Sequence, residues 1–258
     1  MRIKIIAGLA GILLAASAGV LAQGRDIRQG VAQRIQELRA VSEANAVRDS
    51  RTSTGLDVMA SDGARLKATY YSPGKPGPGM LLLHQCNMDR RSWEGLAAEL
   101  VWHGIHVLTF DYRGYGESRT ITGDYAKLPG DIDAALATLL AQPGVDKARL
   151  AAGGASCGVN NSVQLARRNG EIRALVLLSG ATNKAGMDFL ENSTLPVFFA
   201  YSVDEGGPLP EMKASLSRSK NTETKVHELN KAGHGVPMFT AAPTLLRATA
   251  DWVARVLR

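Results

Sequence analysis

From residue 79 onward, short apolar runs alternate with stretches whose apolar residues recur at helical spacing. GMLLLH is followed by SWEGLAAELVWHG, IHVLTFDY by DIDAALATLLAQPG, and ARLAAGG by VNNSVQLARR. In the first of these helical stretches Trp93, Leu96, Ala97, Leu100 and Val101 form one stripe, with Ser92 placed to cap the start and Gly104 to end it. Ile132, Ala135, Leu136, Leu139 and Leu140 make the same stripe before Pro143. The rhythm continues through IRALVLLSG, LPVFFAYS, a helical EMKASLSR, KVHELN and a final helix bearing Leu245, Trp252, Val253 and Val256. The short runs are apolar throughout instead of alternating, as strands covered on both faces must be. The pattern predicts an α/β fold: a doubly wound, mostly parallel sheet with helices on both faces.

Ahead of that rhythm, LDVMASDGARLKATYYSP sets Asp62-Gly63 between two alternating segments, which predicts a hairpin, and PGKPGPG follows as a loop. Residues 23 to about 53 are polar, with Ile27, Val31, Ile35 and Leu38 at helical spacing, the mark of an amphipathic leading helix. The first residues, MRIKIIAGLAGILLAASAGVLAQG, carry Arg2 and Lys4, then an apolar stretch without an acid. They read as an export signal cut after Ala22, the alternative being an uncleaved membrane anchor. The expected division is a signal over 1–22, a leading helix and linker over 23–54, and one domain over 55–258. The body is expected outside the cytoplasm, periplasmic or secreted, with no membrane span once the signal is cut.

Composition narrows the partners. Lys plus Arg number 30 against 24 Asp plus Glu, and removal of Arg2 and Lys4 lowers the excess from six to four. The basic residues are scattered, so no nucleic-acid track is visible. The five histidines are dispersed and no ligand-spaced Cys/His set occurs, so no metal and no cofactor are expected.

In an open α/β sheet the residues just past each strand are the ones that meet ligands. Gly154-Ala155-Ser156-Cys157-Gly158 stands at such a place and fits G-x-S-x-G, in which small flanks let a serine sit on a sharp strand-to-helix turn. A serine nucleophile needs an acid and then a histidine later in the chain. His234, in the glycine-flanked loop NKAGHGVPMF, suits the base, whereas His227 lies inside a strand. The acid falls in LPVFFAYSVDEGGP, as Asp204 or its neighbour Glu205. The oxyanion needs two backbone N–H donors, one from Cys157 and one from the loop HQCNMDRRSW, where Cys86 is preferred and Gln85 is the alternative. Convergence of those amides on one oxygen would bring the two cysteines together, and in an oxidising compartment a Cys86–Cys157 disulfide becomes a specific expectation; two buried free thiols are the alternative. Arg90 and Arg91, near the predicted mouth, read as solvated surface or as an attraction for acidic substrates.

Taken together, LLLHQCNMDRRSW, FDYRGYGES, GASCG, the Asp204 loop and AGHG resemble the α/β-hydrolase superfamily over residues 55–258. The resemblance favours Asp204 over Glu205 as the acid, and it makes the segment 110–118 a structural loop in which Arg113 has no catalytic role. With 48 positions from Ser156 to Asp204 and 30 from there to His234, no room is left for a large lid, as in the compact dienelactone-hydrolase-like branch. The chain departs from that branch in having Ser156 at the elbow centre where dienelactone hydrolases carry cysteine. It also has His84-Gln85 where many relatives have His-Gly, and Val159 where a second glycine often stands. Cys157 as nucleophile, one register on, would place β-branched Val159 in the tight turn.

These readings converge on an exported serine hydrolase cleaving a small-molecule ester or thioester through Ser156, His234 and Asp204. The alternatives are a peptidase-like hydrolase with the same triad and a non-catalytic envelope module that keeps the fold for binding.

Overall fold

The structure is a computed structural model that describes residues 52–258; the expected signal and nearly all of the expected leading helix lie outside the described residues. Eight strands form one sheet: β1 (Thr52–Met59), β2 (Arg65–Ser72), β3 (Gly77–Leu83), β4 (His106–Phe110), β5 (Val145–Ala155), β6 (Ile172–Leu178), β7 (Val197–Ser202) and β8 (Lys225–Leu229). Their order is β1-β2-β4-β3-β5-β6-β7-β8, with β2 antiparallel to β1 and β4 and every other pairing parallel. The Asp62-Gly63 hairpin joins β1 to β2, and β1 takes in residues 52–54, which the pattern leaves to the leading segment.

The helices are α1 (Glu94–Trp102), α2 (Leu128–Leu140), α3 (Cys157–Arg168), α4 (Lys184–Asn192), α5 (Leu209–Ser217), a short α6 (Met238–Ala241) and α7 (Pro243–Val256). They divide between the two faces. Apolar residues of α2, α3, α4 and α5 share one core cluster, while α1, α6 and α7 belong to the other. Strand β3 shows why its run is apolar without alternation: Leu81 and Leu83 enter the first cluster, Met80 and Leu82 the second, and all four are fully buried. This is the α/β doubly wound arrangement expected from the pattern, and among the described residues no large lid interrupts it.

Two local expectations change. Asp89, not Ser92, caps the start of the first helical region: its carboxylate accepts the Arg91 N–H at 2.9 Å over a 3₁₀ turn (Arg90–Trp93), and Ser92 Oγ donates to the Asp89 carbonyl. Helix α4 is not foreseen, because its stretch is short and Gly186 interrupts it; Asn183 caps it by accepting the Gly186 N–H at 3.0 Å.

The order places β3 between β4 and β5. The chain leaves β3 through α1 toward one face and leaves β5 through α3 toward the other, so a crevice opens between these two strand ends. The loops after β3, β5, β6, β7 and β8 all emerge on this edge.

Candidate active site

Strand β5 ends at Ala155, and Ser156 follows with φ 52° and ψ −118°, a conformation that costs energy for any residue with a side chain. The turn is held by the Ser156 N–H on the Leu178 carbonyl (2.9 Å) and the Val159 N–H on the Ser156 carbonyl (3.0 Å). Small flanks are a steric requirement here. A Cβ on Gly154 would overlap the Gly158 carbonyl oxygen, and one on Gly158 would overlap the carbonyl oxygen of Leu83. Val159 fits behind the turn because its neighbour is Gly180, where a Cβ would come within 2.7 Å of Val159 Cγ2. Ser156 is half-buried and lines a cavity of about 580 Å³ with Ser179, Glu205, Leu209 and His234.

The acid beside His234 is Glu205, not Asp204. Glu205 Oε2 faces His234 Nδ1, while its Oε1 accepts from Ser179 Oγ at 2.7 Å and from the Ser202 N–H at 3.0 Å. Asp204 instead accepts from Ser202 Oγ (2.6 Å) and the Lys231 N–H (2.7 Å). The cause is local. Residues 203–205 turn as a 3₁₀ helix with Ser202 and Glu205 forming a capping box, and successive side chains of such a turn point about 120° apart. Glu205 is thereby drawn back over the strand ends, and Asp204 is sent outward to anchor the start of the histidine loop. The Ser202 hydroxyl, followed by the Lys231 amide, holds the Asp204 carboxyl below the usual carboxylate range. Ser179, buried after β6 with φ 48°, joins the site unforeseen. His227 stays in β8, stacked on Phe198.

Cys86 and Cys157 form a disulfide with their α-carbons 5.9 Å apart, so the bridge spans the crevice between the β3 and β5 ends. It replaces the alternative of two free thiols and takes the Cys157 sulfur out of contention as a nucleophile. Cys157 opens α3, where its N–H has no intrahelical acceptor. No acceptor among the described residues engages the N–H of Cys86. Before Cys86, His84 is fully buried; its Nε2 accepts the Tyr112 N–H, which leaves Nδ1 to donate to the Gln85 carbonyl at 2.8 Å. Burial lowers its pKa, keeping this ring neutral.

The family model described as Hydrolase_4, "Serine aminopeptidase, S33", matches residues 74–256. The chain belongs to this S33 hydrolase family. An uncharacterized protein of Mycobacterium tuberculosis is 36% identical over 147 residues, covering 55% of this chain and 52% of that protein. A thiohydrolase of Aspergillus aculeatus is 27% identical over 132 residues, covering 50% and 42%. This chain thus spans about half the length of these relatives. Among solved structures, an esterase of Pyrococcus furiosus superposes with a TM-score of 0.65 at 16% identity, covering 81% of this chain and 92% of that one. A dienelactone hydrolase-like promiscuous phosphotriesterase from metagenomic libraries gives 0.63 at 19% identity, covering 81% and 99%. These likenesses show the α/β-hydrolase fold.

In this member of the S33 hydrolase family the arginines near the expected mouth do not line the cavity of Ser156. Arg90 is 7% exposed and bonds Asp111, Glu117 and Thr69, so neither solvated surface nor substrate attraction describes it. Arg91 is exposed and held by Glu117. Arg113 is gripped by Asp131 and Asp62.

Proposed function

We propose that this chain is an exported serine hydrolase that cleaves a small carboxylic ester or thioester through an acyl-enzyme on Ser156. The observation that carries the reading is the single cavity in which Ser156, on its strained turn, meets the His234–Glu205 pair. With Nδ1 facing Glu205, His234 has Nε2 left for the serine proton. No direct hydrogen bond joins Ser156 Oγ to His234 among the described residues; such contacts tighten when substrate binds.

In this reading Ser156 Oγ attacks the carbonyl carbon as its proton passes to His234 Nε2, and Glu205 stabilises the imidazolium. The N–H groups of Cys157 and Cys86 hold the oxyanion. Collapse expels the alcohol or thiol with the proton from His234, and water then releases the acid by the same steps in reverse. The thioester option rests on the fungal thiohydrolase relative. A small ester is preferred to a peptide because the only titratable side chains lining the cavity among the described residues, Glu205 and His234, already bond each other, leaving none to hold a peptide terminus. The disulfide supports export, since such bridges persist in oxidising compartments. A binding module would have no need to present Ser156 to a cavity.

Labelling of the purified protein with a fluorophosphonate, read by mass spectrometry, tests this. Modification confined to Ser156 and abolished by Ser156→Ala is expected. A folded protein that resists labelling, with and without reductant, would favour the binding module.

A further inference from the structure

The loop that carries His234 must be fixed relative to Ser156, and Glu205 fixes only the ring. The backbone is tied at two places. On the amino-terminal side the Lys231 N–H donates to Asp204 and the Ala232 N–H to Ser202 Oγ, so residues 231–232 hang from the end of β7. On the other side the Val236 N–H donates to the side-chain oxygen of Gln85 at 3.0 Å, a contact between residues 151 positions apart. Gln85 is 1% exposed, and its side-chain nitrogen donates to Asn87 Oδ1 at 2.8 Å. The two bonds together orient the carboxamide: only its oxygen can accept the Val236 N–H, and its nitrogen is left to donate to Asn87.

The contact is close as well as directional. Gly235 has φ 70°, and a Cβ there would overlap the Gln85 side-chain oxygen, so the chain passes directly over the carboxamide. The next residue, Cys86, is bonded to Cys157 beside the nucleophile. Gln85-Cys86 is therefore one rigid bracket: the disulfide grips the elbow and the carboxamide grips the histidine loop.

We propose that Gln85 is a positioning residue that sets His234 over Ser156. This rests on the hydrolase reading above. Gln85 is not among the groups lining the cavity, so its loss displaces the base without altering the walls that bind substrate. A displacement of the order of 1 Å is enough to slow the chemical step by about 10²-fold.

The test is steady-state hydrolysis of a p-nitrophenyl ester by the disulfide-intact protein and its Gln85→Met, Gln85→Glu and Asn87→Ala variants, with free thiols and melting temperature measured alongside. Gln85→Met keeps the length and removes the acceptor, and is expected to lower kcat by about 10- to 100-fold with KM within about twofold. Gln85→Glu keeps an acceptor for Val236, while Asn87 can turn its amide to donate; it should restore kcat to within about fivefold of wild type. Asn87 is exposed, so its variant will fold, and freeing the carboxamide to rotate should cost kcat about two- to fivefold at constant KM. Wild-type kcat in Gln85→Met, or equal losses in the Met and Glu variants, would overturn the assignment. Should Gln85→Met fail to fold, an Asn87→Ala enzyme with wild-type kcat would overturn it equally. If the wild-type protein shows no Ser156-dependent turnover, the hydrolase reading itself has failed; if it turns over and the variants match it, only the role of Gln85 has.

Discussion

Two polar clusters sit on the same edge of the sheet and differ in one respect. Around the loop after β4, Arg90, Asp111 and Glu117 form one ion-paired group and Arg113, Asp131 and Asp62 another, with Lys127 joining Asp62. Arg90, Asp111, Arg113 and Asp131 are all buried, and their strong donors and acceptors face one another. Past β5, β7 and β8 the charges are fewer, but the groups are anchored on one side only. Glu205 is fixed by Ser179 and Ser202 and grips one nitrogen of His234, while Ser156 is held by its backbone and presents its side chain to a cavity. In the first arrangement the buried charges are matched by one another, and they pin the loop after β4 to α2 and the hairpin. The second is pre-organised behind and open in front, the condition that electrostatic and general-base catalysis require.

The contrast can be sharpened inside residues 204–205. Glu205→Gln keeps the shape and removes the charge that stabilises an imidazolium, so kcat is expected to fall on the order of 10³-fold, measured by ester hydrolysis at constant fold. Asp204→Asn alters the bonds from Ser202 Oγ and the Lys231 N–H, both outside the cavity lining, and should change kcat less than about tenfold. If the two variants lose activity alike, the roles assigned here are wrong.

The reverse pattern is expected past β4. Asp131→Asn leaves the buried Arg113 short of one ionised partner and should cost about 3 kcal/mol of stability by denaturant unfolding, the lower end for a broken buried pair because Asp62 remains. Activity per folded molecule should be unchanged. A loss of kcat without a loss of stability would dissolve the distinction between the clusters.

The smallest effect concerns pH. The folded pKa of Asp204 is lowered, so its contribution to stability is present above its ordinary value of 3.8 and is lost as pH falls through the folded value. Wild type should therefore exceed Asp204→Asn in melting temperature near neutrality, and the two curves should converge in acid. A gap that persists at low pH would mean the carboxylate charge is not what matters.

Much of this was legible in the chain because it rests on local pattern. The run GMLLLH, the stripes of α1 and α2, the elbow glycines and the strand-end position of His234 each follow from neighbours within a few residues. Cys86 and Cys157 could be paired because both were tied to one oxyanion. Between Asp204 and Glu205 the family likeness and the local signal disagree, and the local one prevails: Ser202-x-x-Glu205 has the spacing of a capping box, which turns Glu205 inward. Ser179 and Gln85 carry no such signal. Their roles arise from contacts with residues 26 and 151 positions away, which only the folded sheet brings together. Arg90 reads as a surface residue in the sequence for the same reason, since Asp111 and Glu117 reach it only once β3 and β4 are paired.

The central claim is that Ser156 becomes acylated with His234 and Glu205 as its base and acid. It is tested most directly by rapid acid quench of the protein mixed with excess p-nitrophenyl acetate, followed by peptide mass spectrometry. One acetyl group on the peptide containing Ser156, formed in the first turnover and absent from Ser156→Ala and from Glu205→Gln on that timescale, is the predicted result. Acetylation at any other residue, or turnover that survives Ser156→Ala, would contradict it.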